Sequence, residues 1–271
     1  MGLRINTNVA ALNAGRSLSR STQDLNQTLE RLSSGLRINR ARDDAAGLAI
    51  AEGFRAIVRG TQVAQRNAQD GVSMVQTAEG ALSETTNILQ RIRELAVQAS
   101  NGTQSDDNRA ALDAEVQQLL AQIDDIALDT EFNGIAVLSA AQTITLQAGS
   151  QNGQTLEIAL DGAKTDDLGI DGLSVSSWGG AVSAITQIDD ALKSVGTMRA
   201  TLGAQQNRLE FTINTLAIQE ENSASAESVI RDADIARETI RFTRNQILVN
   251  AGTSILAQAN VVPQSALQLL G

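Results

Sequence analysis

Apolar residues recur at intervals of seven along most of this chain. One seam of this kind runs through residues 68–99 and another through residues 188–216. This spacing keeps one stripe of a helix facing a partner helix, as in coiled coils and helix bundles. It predicts two long helices, over about 43–100 and 182–226. The positions assigned to their shared core are Val75, Leu82, Leu89, Ile188, Val195, Leu202, Leu209 and Leu216.

Polar residues mark where the first long helix ends and the next begins. Ser100-Asn101-Gly102 is typical of a helix C-terminus, and Ser105 followed by two aspartates is typical of an N-terminus. The two long helices would extend roughly 85 Å and 65 Å at 1.5 Å per residue. Helices of that length, joined by a short turn, predict a rod.

The middle of the chain has a different pattern. Residues 143–160 alternate apolar and polar side chains, break at a Gly/Asn turn and then alternate again. This alternation predicts a β-hairpin. Glycines follow at Gly162, Gly169, Gly172 and Gly179-Gly180, and all are interpreted as turns. Residues 138–182 are therefore expected to form a small β-hairpin and turn region within the rod.

Both ends of the chain carry apolar stripes that lack a partner nearby in sequence. The stripe residues are Leu18, Leu25 and Leu32 near the start, and Ile235, Phe242, Val249 and Leu256 near the end. They are expected to pair, which predicts an inner domain from 1–42 with 229–271 and a rod domain from 43–228. The fold class is mainly α, a long antiparallel helical rod or coiled coil built from both termini. The final 27 residues, from Asn245 onward, contain no charged side chain.

The amino-acid composition excludes most kinds of catalytic site. The 271 residues include no histidine and no cysteine, which excludes imidazole and thiolate metal ligands, histidine-dependent triads and disulfides. Adjacent acids such as Asp124-Asp125 do not face each other on a helix, and no glycine-rich phosphate loop is present. We therefore expect a protein that makes interfaces, with no cofactor, no metal and no enzymatic activity.

Charge and hydropathy argue against nucleic-acid and membrane partners. The net charge is −10, and the basic residues near the start are spread over sixty positions without a nucleic-acid-binding motif. The first residues lack the apolar run of a signal peptide, and no stretch approaches the ~18 apolar residues of a transmembrane helix. We expect neither nucleic-acid binding nor membrane insertion.

Several motifs resemble bacterial flagellin. They are LRINTNVAALNAGRSLSRSTQDLNQTLERLSSGLRINRARDDAAGLAIAEGFR at 3–55, QRIRELAVQASNGT at 90–103, EFNGIAVL at 131–138 and the charge-free C-terminal stretch. The resemblance covers about 140 N-terminal and about 85 C-terminal residues. It implies a short flagellin in which the terminal segments pair as a coiled coil lining the filament channel, with no outer domains.

The resemblance also implies partners and a location. Flagellins polymerise into the helical filament used for motility, and they are exported to the cell exterior without a cleaved signal peptide. A dedicated export chaperone holds the C-terminal segment, and filament cap and hook–filament junction proteins are further partners. The terminal segments, 1–42 and 229–271, would order on assembly, because burial in the polymer then compensates the entropy cost of ordering them.

The resemblance further implies recognition by the host Toll-like receptor that senses flagellin. The matching positions are Arg91 and Leu95 in QRIRELAVQ and Glu115 on the next helix, flanked by Gln90 and Gln98. A purely structural interpretation of the same surface is packing between neighbouring filament subunits.

Two alternative classes remain open. A hook–filament junction protein would share the terminal coiled coil but differ in the terminal motifs. A coiled-coil adaptor would carry a charged, solvated tail, which disagrees with the charge-free C-terminus.

Overall fold

The computed structural model describes residues 7–268, with side-chain placements for residues 7–261. Within that range five helices dominate and the strands are short. The elements are α1 (Val9–Ser34), α2 (Ala45–Ala99), α3 (Asp106–Asp129), β1 (Glu131–Phe132), β2 (Ile135–Ala136), β3 (Gln142–Gln147), β4 (Thr155–Leu160), α4 (Trp178–Arg231) and α5 (Ile235–Gln268). The predicted fold class, mainly α with a small central β region, is confirmed.

The chain divides into two compact units. Unit 1 contains the residues up to Ala56 and those from Asn222 onward, whereas unit 2 is Ile57–Glu221. The sequence predicts boundaries at 42/43 and 228/229, where helices break, but the compact units divide inside α2 and α4. Residues 1–6 and 269–271 of the predicted inner domain lie outside the described residues.

Backbone hydrogen bonds explain why the ends of α2 and α4 belong to unit 1. The two connectors between helices lie side by side: Arg37 N donates to Arg231 O at 2.6 Å, and Ala233 N donates to Gly35 O at 2.9 Å. Arg231 Nη1 also lies 2.9 Å from Glu52 Oε1. These contacts tie the first turns of α2 and the last turns of α4 to the connectors.

Helix ends follow the expected capping chemistry. Ser105 caps α3, its side chain accepting from Asn108 N at 3.2 Å. α1 ends at Ser34 and is capped by Gly35, whose φ of 72° is the left-handed conformation that glycine adopts without strain. The carbonyls at the end of α2 are satisfied by Arg109, which donates from Nη1 to Ala99 O at 3.3 Å and is only 8% exposed. Arg109 thereby fixes the start of α3 against the end of α2.

Unit 2 is built around a core shared by α2, α3, α4 and the β3–β4 hairpin. Gln62 donates to Glu220 at 2.7 Å and Arg93 to Asp189 at 2.8 Å, so α2 and α4 run antiparallel. The hairpin pairs from Gln142↔Leu160 to Gln147↔Thr155, in agreement with the predicted strands. Strand β4 buries Leu156, Ile158 and Leu160 on one face, as its period-2 pattern requires.

The β3–β4 hairpin packs close against α2 because α2 has glycine, with no side chain, at the point of contact. A Cβ at Gly60 would lie 2.8 Å from Ser150 Cβ, so the hairpin turn could not approach this closely if position 60 carried a side chain. The glycines of α2 therefore set the depth at which the β region packs.

Two local features differ from the sequence expectations. Gly179-Gly180, interpreted as a turn, lies in the first turn of α4, where Ser177 Oγ accepts from Gly180 N at 3.1 Å. A Cβ at Gly180 would lie 2.7 Å from Ser174 O, so Gly180 permits the close approach of the preceding loop. The β1–β2 hairpin was not predicted. Its turn uses Asn133 (φ 51°) and Gly134 (φ 77°), the Asn-Gly signal of a tight hairpin.

Candidate assembly and recognition surfaces

The terminal helices α1 and α5 form an antiparallel pair in unit 1. Asn8 Nδ2 donates to Ala259 O at 2.7 Å at one end, and Arg31 Nη1 lies 3.5 Å from Glu238 Oε1 at the other. Between them the helices come close, because a Cβ at Gly252 would lie 3.2 Å from Leu18 Cδ1. The pairing expected from the two apolar stripes is therefore present in the structure.

Most of the predicted stripe residues lie along this seam, half-buried. They are Leu18, Leu25, Leu32, Phe242, Val249 and Leu256. Ile235 differs from the expectation, since it is 50% exposed. Ile235 is the first residue of α5, and the contact with α1 in this turn is made instead by Glu238, which lies 3.5 Å from Arg31 in the last turn of α1.

A buried carboxylate lies near the end of the seam. Glu238 is 5% exposed, and its Oε1 accepts from Arg241 Nη1 at 2.9 Å in addition to Arg31. The sequence analysis did not identify Glu238, although Arg241, three residues later on the same helix, could have indicated an ion pair. A buried charge that loses its partner is costly, so the cluster favours one register of the two helices.

The terminal pair leaves much apolar surface uncovered. Among the described residues of α1 and α5, the only side chains below 9% exposure are the polar Thr28 and Glu238. The outer face of α5 carries four exposed aliphatic residues: Ile240, Ile247, Leu248 and Ile255. A helix with apolar residues on two faces is typical of one that is covered on both.

The eight core positions predicted for the long helices are all buried in unit 2 or at its edge. Val75, Leu89, Ile188, Val195 and Leu209 are 0% exposed, Leu82 is 1%, and Leu202 and Leu216 are 4%. All but Leu216 belong to one continuous apolar cluster. These residues hold α2 and α4 together and so position the exposed faces of both helices.

The QRIRELAVQ motif of α2, which the resemblance links to receptor recognition, forms a polar surface together with Glu115 of α3. Arg91 donates from Nη2 to Glu115 Oε1 at 2.8 Å and from Nη1 to Glu94 Oε2 at 3.1 Å. The hydrogen bond to Glu115, and secondarily that to Glu94, raises the pKa of the Arg91 guanidinium above its ordinary value. Gln90 and Gln98 are exposed on the same helix. Glu94 was missed at the sequence level, although it lies at i+3 from Arg91.

Leu95 does not lie on that surface. It is 1% exposed and belongs to the unit 2 core. The position lies one helical turn after Ile92 and one before Ala99, both of which face the core, so the helical period turns Leu95 inward. Leu95 can influence recognition only through the fold beneath Arg91.

The described residues offer neither a metal site nor a membrane-spanning helix. No group of acidic residues there is arranged to hold a metal ion. None of the described helices combines the length and apolar character needed to cross a bilayer.

Sequence comparisons identify the family. Residues 5–143 match the model of the bacterial flagellin N-terminal helical region, and residues 185–270 match that of the C-terminal helical region. The chain belongs to the bacterial flagellin family. Flagellin of Halalkalibacterium halodurans is 48% identical over 271 residues, covering 98% of this chain and 99% of the relative. Flagellin of Bacillus subtilis is 42% identical over 303 residues, covering 99% and 100%.

Membership of the flagellin family fixes the broad function. The chain is a structural subunit that polymerises into the extracellular flagellar filament, and it is not an enzyme. Its relatives match over almost their whole length, as expected for a short flagellin without outer domains.

The fold itself is not confined to filament subunits. A solved structure described as a flagellar hook-associated protein from Vibrio parahaemolyticus has a TM-score of 0.58 and 11% identity, covering 70% of this chain and 99% of that one. At this identity the likeness shows the fold alone, and the flagellin assignment rests on the sequence matches.

Proposed function

We propose that this flagellin subunit serves motility through a filament whose inner core is the α1–α5 pair, and that the pair becomes fully ordered only on assembly. The observation that carries the proposal is the nature of the seam. Its apolar residues stay half-exposed in the single subunit, and the only buried side chains among the described residues of the two helices are the polar Thr28 and Glu238. Such a seam gives little hydrophobic stabilisation to offset the entropy cost of ordering two helices.

Limited proteolysis tests this ordering. Trypsin has sites at Arg16 and Arg20 in α1 and at Arg237, Arg241 and Arg244 in α5. We expect rapid cleavage at these arginines in monomers and strong protection in filaments, because neighbouring subunits cover the helices. Arg199 in unit 2 serves as an internal control for general accessibility. Equal cleavage of α1 and α5 in monomer and filament would contradict the proposal.

We further propose that the host Toll-like receptor for flagellin recognises the monomer at Arg91 and Glu115, flanked by Gln90 and Gln98. The support is chemical: two charged side chains on adjacent helices are held by hydrogen bonds of 2.8–3.2 Å while half of each stays exposed. A preorganised charged pair loses little entropy when a partner binds. Leu95 contributes by packing under the helix rather than by contact.

Charge reversal at Arg91 tests the receptor site. Arg91→Asp is expected to lower reporter-cell activation roughly 30-fold, as for an interface hot spot, with the monomer melting temperature unchanged. Arg93→Asp is the matched control, since Arg93 makes an equivalent exposed pair with Asp189 at 2.8 Å. Leu95→Ala should instead lower stability together with activation. Full activation by Arg91→Asp would refute the site.

The remaining partners follow from the family. We propose that an export chaperone holds the charge-free C-terminal segment before assembly, that export proceeds without a cleaved signal peptide, and that cap and hook–filament junction proteins contact the subunit at the filament ends. The exposed aliphatic face of α5 supports the chaperone proposal, since an unassembled subunit would otherwise present it to solvent.

A further inference from the structure

A groove in unit 2 has no role in the fold or in the receptor surface. It lies between α4 and the turn of the β3–β4 hairpin, with a volume of about 500 Å³. Its lining includes Ala148, Gly149, Arg208, Phe211, Thr215 and Leu216. Phe211 is one of only five aromatic residues in the sequence, and its side chain is 72% exposed. We call this feature the Phe211 groove.

The exposure of Phe211 is part of a pattern. Ala204, Phe211 and Ile218 recur every seven residues on α4 and are all exposed, whereas Leu202, Leu209 and Leu216 form the buried seam. Helix α4 therefore carries a second apolar seam that no part of unit 2 covers. A seam of this kind is typical of a helix that meets another molecule.

Polymer symmetry restricts what can cover the groove. Subunits that repeat in an open helical filament use two different surfaces, so the groove must meet another surface of the next copy. That surface must be apolar to match Phe211. It should also be acidic, because the exposed Arg208 lines the groove and, within the described part of the chain, forms no ion pair with a carboxylate.

One exposed patch of unit 2 has both properties. Leu128 lies near the end of α3 and Ile135 on β2, which contacts α3, and they are 50% and 41% exposed. Asp125, Asp129 and Glu131, on α3 and the adjoining β1, are exposed too. No lysine or arginine occurs anywhere between residues 110 and 163. We call this the Leu128 patch.

Other exposed apolar residues of unit 2 fit less well. Val63 and Val97 on α2 lie within four positions of arginines, which would repel Arg208. Trp178 and Val182 on α4 have no charged residue within six positions on either side. Charge complementarity therefore favours the Leu128 patch, since opposite potentials across an interface fix its register and suppress wrong pairings.

We propose that the Phe211 groove of one subunit receives the Leu128 patch of a second copy in the filament. The contact rests on the filament assembly of this family and identifies two surfaces that carry it. Phe211 supplies the apolar area, and Arg208 pairs with the carboxylates of the neighbour.

Cross-linking tests the contact directly, because the chain contains no cysteine. Asn207 lines the groove, and Asp129 belongs to the Leu128 patch. Filaments of a variant with Asn207→Cys and Asp129→Cys are treated with a short bismaleimide and analysed on denaturing gels. A head-to-tail contact is expected to give a ladder of dimers, trimers and longer species. Each single-cysteine variant should give no species beyond a dimer. The control pair, Asn207→Cys with Asp107→Cys, places the second cysteine on an acidic position outside the patch and should give no ladder.

The absence of a ladder in well-formed filaments of the test pair, or an equal ladder from the control pair, would overturn the proposal. Electron microscopy of the double-cysteine variant establishes that its filaments have formed. If wild-type subunits form no filaments either, the failure lies in assembly itself and not in the contact between these two surfaces.

Charge exchange gives an independent measurement. Arg208→Glu is expected to raise the critical concentration for polymerisation about tenfold at low salt, because like charges then meet across the contact. Adding Asp129→Arg in the same chain should restore most of the loss. A defect in Arg208→Glu that Asp129→Arg leaves unchanged would count against the pairing of these two surfaces.

Discussion

Replacing Val249 with aspartate is expected to abolish filament growth while leaving unit 2 folded. Val249 lies half-buried on the α1–α5 seam, within a stretch of 27 residues that carries no charged side chain. A carboxylate there would lose hydration without gaining a partner. It would also recur in every subunit, so that identical charges repel around the inner core of the polymer. Electron microscopy and light scattering after seeding measure growth, and circular dichroism of the monomer reports the fold.

The matched control is Val249→Asn, because asparagine has nearly the same size as aspartate and is also polar but carries no charge. It should weaken the α1–α5 seam yet still permit short or slowly growing filaments. The same comparison applies one heptad later, with Leu256→Asp against Leu256→Asn. Filaments of normal length and rate from Val249→Asp would show that position 249 stays hydrated in the polymer, and the inner-core assignment would then be wrong.

The helices of this protein could be predicted from sequence because their pattern is regular over many turns. Stripes that repeat every seven residues predict α2 and α4 within a few residues of their observed ends. The two local errors have a common cause. At Gly179-Gly180 and at Asn133-Gly134, glycine serves either a close tertiary contact or a tight turn. Sequence spacing does not separate these roles, since both use glycine and the close contact of Gly180 with Ser174 depends on the path of the loop that precedes α4.

The surfaces were less predictable than the fold. A sequence motif names residue types, and QRIRELAVQ does not state which of its members face solvent. Helical period places Leu95 inside, yet that follows only once the core-facing side of α2 is known. The ion cluster at Glu238 depends on which turn of α1 lies opposite, and register between distant helices is fixed by side-chain packing. Both apolar seams of α4 repeat every seven residues, so the spacing alone does not tell the exposed seam with Phe211 from the buried seam with Leu209.

Unit 2 should depend strongly on its heptad core, and Leu89→Ala provides the test. Leu89 is 0% exposed and packs in the apolar cluster shared by α2, α3 and α4. Truncating a fully buried leucine removes its transfer free energy and leaves a cavity, which typically lowers the free energy of unfolding by 2–5 kcal/mol. The loss should appear as a lower midpoint in urea, followed by circular dichroism on the monomer.

Val97→Ala is the control for that measurement, because it shortens an apolar residue on the same helix that is 47% exposed. Its effect should stay within about 0.5 kcal/mol, the range of surface substitutions. Polymerisation should partly rescue Leu89→Ala, since association stabilises the folded subunit by mass action. The variant is therefore expected to form filaments above a raised critical concentration, in contrast to Val249→Asp. Equal destabilisation by the two alanine substitutions would mean that the heptad seam is not the source of the stability of unit 2.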